Sequence, residues 1–67
     1  MNTELAVKQL AALAQSNRLA IYRALVVAGE TGKTPNELIA LLGLANATLS
    51  FHLKTLQQAD LIHVEQQ

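Results

Sequence analysis

The sequence predicts a mainly α domain: four short helices followed by one short β-strand, in a single unit spanning residues 1–67. Three observations carry that expectation. Hydrophobic residues make up 51% of the chain, most of them Leu and Ala, with one Tyr and one Phe, which suits packed helices and neither disorder nor an all-β sandwich. Apolar residues recur at helical spacing in every segment but the last. Between those segments stand Ser, Thr, Pro and Gly at positions where helices start and stop.

The first helix is expected from a Thr3 cap to about Gln15. Leu5, Val7, Leu10 and Leu13, with several alanines, give it an apolar surface broader than one stripe. Such a surface suits both a core helix and a contact with a second copy. Ser16 is a good N-cap for a second helix that runs to about Ala28 and ends at Gly29. Its expected inner stripe is Leu19, Tyr22, Leu25 and Val26, with Ile21 beside them. Arg18 and Arg23 are placed on it either as solvated or paired charges or as phosphate contacts.

Residues 34–58 hold the best-marked pattern in the chain. Thr34, Pro35 and Glu37 spell a capping box with proline at the first helical position. The helix they open stops at Gly43, with Leu44 as an apolar plug. A fourth helix is expected from Asn46 to Gln58, with Leu49, Leu53 and Leu56 turned inward. Helix, short glycine turn, helix is the helix-turn-helix arrangement, whose second helix enters a DNA major groove. Leu61 to Glu65 then reads as a strand, with residues 31–34 as the one stretch able to offer it a ladder bond or two.

Several function classes are disfavoured. The chain has no cysteine, so disulfide and thiolate chemistry is absent from it. His52 and His63, with Glu65 as the one nearby acid, make a poor metal set, and no metal or cofactor is expected in this chain. No nucleophile, base and orienter fall together, and GETGK at 29–33 lacks phosphate-loop spacing, so an enzyme is not expected. No apolar run approaches the ~20 residues of a membrane span, and the N-terminus lacks the order of a secretory signal. A soluble cytoplasmic protein is the expectation. Net charge is zero with the histidines neutral, which weakens a nucleic-acid reading because phosphate neutralisation supplies much of such affinity.

Projected at 100° per residue, the fourth helix turns Ala47, Phe51, Lys54 and Gln58 away from its leucines, with Asn46 and Ser50 on one flank and Thr48 and Thr55 on the other. The candidate base contacts are Asn46, Ala47, Thr48, Ser50 and Phe51; Lys54, Thr34 and Lys33 are candidate phosphate contacts. Each has a plainer alternative. Phe51 also suits packing against a helix or a second copy. Asn46 and Thr48 suit an ordinary first turn, Ser50 is simply small, and Lys33 suits plain solvent exposure. His52 falls at the core boundary, where packing or a backbone bond is expected of it.

ALAQSNRLAIYRAL (12–25) and ELIALLGLANATLSFHLKTLQQADLI (37–62) resemble the ArsR/SmtB family of winged-helix repressors. The S-N-R-L and ATLSFHLKTL segments are the most telling parts, and TLSFHLK looks most like the arsenic-sensing branch. The resemblance implies a winged helix-turn-helix fold and a transcriptional repressor that binds a double-stranded operator as a homodimer. It implies an inducer, arsenite or another metalloid, sensed through residues not present here. It also implies a second wing strand and a further helix, so the wing is expected to be incomplete, as in a truncated form or fragment of a longer repressor. NELIALL stands where thiolate sensors of the family carry cysteines, Ala45 where Ser or Pro is frequent, and Asp60 where glycine is usual. The competing expectation is a helical protein-interaction or dimerisation module that does not bind DNA.

Overall fold

A computed structural model describes residues 2–64 of the chain. Four α-helices follow one another: α1 (Thr3–Leu13), α2 (Ser16–Ala28), α3 (Pro35–Leu42) and α4 (Asn46–Gln58). A single 3-10 turn at Gly29–Thr31 extends α2. α2 and α4 form the central pair. Each touches the other and both outer helices, whereas α1 and α3 do not meet.

Every helix sends at least one side chain to a single core. Ala12, Ile21, Leu38, Leu49 and Leu56 are buried there with Ala59, and Leu25, Ile39, Leu42, Leu53, Leu61 and Ile62 close around them. The inner face of α2 is Ile21, Ala24, Leu25 and Ala28, at i, i+3, i+4 and i+7. The expected stripe is therefore rotated. Leu19 and Val26 lie on the exposed side, because Ile21, fully enclosed at 0% exposure, fixes which way the helix rolls between its three neighbours.

Two caps sit one residue earlier than expected. Asn2, not Thr3, caps α1, with its Oδ1 accepting from the Leu5 N–H at 3.1 Å. Asn outranks Thr as an N-cap and here has the extended backbone that the position needs. Gln15, not Ser16, caps α2, its Oε1 accepting from the Arg18 N–H at 2.9 Å. α1 ends at Leu13 rather than Gln15, and the Arg18 Nε–H donates to the Ala12 carbonyl at 2.6 Å. That bond satisfies an orphan carbonyl of the last turn of α1 and ties the corner to α2.

α3 starts as its sequence dictates. The Glu37 N–H donates to Thr34 Oγ1 at 3.2 Å, and the Thr34 N–H donates to Glu37 Oε1 at 2.9 Å. Gly43 ends the helix in the left-handed conformation, φ 68°, with its N–H on the Ile39 carbonyl. α4 ends differently. Asp60 takes φ 58°, its N–H reaches the Gln57 carbonyl, and the Leu61 N–H reaches the Leu56 carbonyl. This is the Schellman arrangement with an aspartate in the place glycine favours.

The strand expected over 61–65 is not formed at residues 61–64, and Glu65 lies outside the described residues. Residues 31–34 offer no ladder either, since Gly29–Thr31 coils into the 3-10 turn and Thr34 serves α3. A strand without a partner gains no ladder bonds. Leu61 and Ile62 instead pack onto the core.

Candidate nucleic-acid interface

The axes of α3 and α4 turn through 113° across the Gly43–Ala45 connection. The turn is tight because Gly43 takes the left-handed conformation at no steric cost, and Leu44 anchors it by packing against the core. α4 is then held by Leu49, His52, Leu56 and Ala59 on its inner side. Its opposite side is open. Asn46, Ala47, Thr48, Ser50, Phe51 and Lys54 are all exposed, and the Phe51 side chain is 63% exposed.

Lys33 and Thr34 are exposed too, but they belong to another feature. They line an open groove of about 1230 Å³ with Tyr22, Leu53, Leu61 and Val64. The six outward residues of α4 do not line it. The eight residues singled out from sequence thus divide into one helix face and one groove rim.

The start of α4 has no side-chain cap, because Ala45 carries no acceptor. The first N–H groups of that helix are left to solvent or to an anion. Farther along, Thr55 Oγ1 donates to the Phe51 carbonyl at 3.1 Å, a back-bond that keeps the Thr55 hydroxyl on its own helix.

His52 lies on the buried side of α4. It is 6% exposed, and among the described residues its buried Nδ1 has no hydrogen-bond partner. Loss of hydration holds its pKa below the usual histidine value, and the nearby Arg18 cation pushes the same way. A neutral ring is thus favoured. The Phe51 ring tilts against it at 59°, centroids 5.6 Å apart. At α3, the Thr34 backbone and hydroxyl bonds hold the Glu37 carboxyl below its ordinary pKa.

Sequence reasoning missed one feature, a shallow cleft of about 240 Å³ between α1 and α4 lined by Lys8, Arg18, Thr55 and Gln58. No periodicity signals it, since its walls come from three helices, one of them, α4, far from the other two in the chain. Among the described residues no three His, Cys, Asp or Glu side chains converge as a metal site would need, and no single helix is long and apolar enough to cross a membrane.

Two helices crossing steeply over a glycine turn, the second held by its inner leucines and open on its outer side, define a helix-turn-helix domain, the class typical of DNA-binding regulators rather than enzymes. The chain belongs to the family described as helix-turn-helix domain, whose model matches residues 13–65. No curated protein matches the chain.

Proposed function

We propose that this domain is the DNA-reading part of a transcriptional repressor of the winged ArsR/SmtB type, acting as a homodimer on a pseudo-palindromic operator. One observation carries the DNA-binding part: the N-terminal half of α4 presents Asn46, Ala47, Thr48, Ser50 and Phe51 together to solvent on the second helix of the motif. Groove reading uses that half of that helix. Lys54 follows toward the backbone, and Thr34 and Lys33 serve a phosphate at the other helix start. The repressor and metalloid parts rest on the resemblance of SNRL and TLSFHLK, and the metalloid thiolates would have to belong to residues outside this cysteine-free chain. Induction then requires that the effector favour a state that binds DNA less well.

Support for the homodimer comes from α1. Val7 and Leu10 are 60% and 68% exposed and stand three residues apart on one side of α1. Such an exposed apolar pair makes a short seam against which a second helix can pack. The same seam, with a net charge of zero, favours the second reading, an interaction module indifferent to DNA.

Duplex binding measured against salt separates the two. A DNA reader loses affinity steeply as salt rises, and Lys54→Ala lowers the slope by about one. An interaction module ignores duplex and assembles with concentration. Leu10→Glu, which leaves the core untouched, is expected to abolish self-association in sedimentation experiments and to weaken operator binding with it. A Leu10→Glu protein that still dimerises removes α1 from the proposal.

A further inference from the structure

We infer that the outward face of α4 selects A·T-rich half-sites, reading adenine through Asn46 and the thymine C5-methyl through Ala47 and above all Phe51. The inference rests on the DNA-binding reading above and adds what that site reads.

The chemistry of the face limits what it can recognise. Guanine is most often read by an Arg or Lys that bridges its O6 and N7. The N-terminal half of α4 carries neither. Arg18 is bonded to the Ala12 carbonyl, Arg23 lies on α2, and Lys54 follows Phe51 by almost a full turn toward the C-terminal half. What the face does offer is one amide, two hydroxyls and two apolar groups. The Asn46 amide matches the N6 and N7 pair of adenine, Thr48 and Ser50 discriminate little, and Ala47 and Phe51 suit a methyl group.

Phe51 dominates for two structural reasons. The fold has no use for it: the one phenylalanine of the chain stands 63% exposed while the core is filled by aliphatic side chains. Its ring also lies tilted against the buried ring of His52, centroids 5.6 Å apart. That contact narrows the positions the ring samples, which lowers the cost of ordering it against a methyl group. His52 is a positioning residue here and touches no base.

Selection from a pool of randomised duplexes with the whole chain tests this. The enriched sites are expected to hold A·T pairs where α4 docks. Replacing thymine by deoxyuridine removes only the C5-methyl, and at one or two of those positions it should weaken binding by about three- to tenfold. Phe51→Ala should bind the thymine and uracil duplexes alike while keeping the helical circular dichroism of the parent. Asn46→Ala should relax the adenine preference and leave the methyl effect intact.

G·C-centred sites, indifference of the parent chain to uracil, or a methyl effect that survives Phe51→Ala would each overturn the inference while leaving DNA binding standing. Absence of salt-dependent binding to every duplex in the pool overturns the DNA-binding reading itself, and this inference with it.

Discussion

The two helices of the motif are secured in opposite ways. α3 is short and specified locally: a reciprocal capping box and a proline open it, a left-handed glycine closes it, and Leu38 is its one fully buried side chain. α4 is longer, follows Ala45 without a side-chain cap, and is held by what it buries, Leu49, His52 and Leu56. The contrast shows where each can be altered. A helix fixed by its ends tolerates changes along its flank. A helix fixed by one face leaves the other face and its first turn free for recognition.

Substitutions can break that contrast, the largest effect first. Leu56→Ala, at a site with no exposed surface, should cost about 3 kcal/mol in urea unfolding. In a domain this small that is enough to unfold much of the population at 37 °C. Acidification also acts on α4, through His52. The folded-state pKa is depressed, so the unfolded chain takes up the proton first. The stability this ring contributes is full above about 6.5, its unfolded value, and is lost as pH falls from there through the folded pKa. His52→Leu should flatten urea midpoints between pH 7 and 5; a parent chain with pH-independent midpoints in that window sinks the assignment.

Thr34→Ala removes the α3 cap and should cost about 1 kcal/mol by the same urea assay. Ala45→Ser supplies the acceptor that α4 lacks and should raise stability by about 0.5–1 kcal/mol. It should also alter duplex affinity, because the new hydroxyl competes for N–H groups otherwise open to phosphate. The smallest effect belongs to Glu37. Its carboxylate is favoured in the fold, so its share of the capping box is present above 4.5 and fades as pH drops through the lower folded value. Glu37→Gln should remove that dependence in a helix-content titration.

The same contrast explains what could be read from the chain alone. α3 was legible to the residue, because Thr34, Pro35, Glu37 and Gly43 encode its ends through bonds made within a few positions. The limits and inward leucines of α4 were legible from their spacing. The roll of α2 was not. Leu19 and Val26 are as apolar as Ile21, and only the three helices packed around it decide which of them is enclosed. The caps at Asn2 and Gln15 were missed because each stands directly before another plausible cap, Thr3 or Ser16. The apolar pattern of Leu61, Ile62 and Val64 reads as a strand, and a pattern carries no news of a missing partner. Of the site, the open face of α4 followed from projection, whereas the separation of Lys33 and Thr34 from it is a fact of three dimensions.

Because the first and third helices never meet, a disturbance applied to α1 has two ways onward, into α2 or straight into α4. The capped, self-contained α3 is bypassed on the direct route. The helix that carries the exposed Val7 and Leu10 therefore rests directly on the helix whose far side is open, and α3 takes no part in that contact.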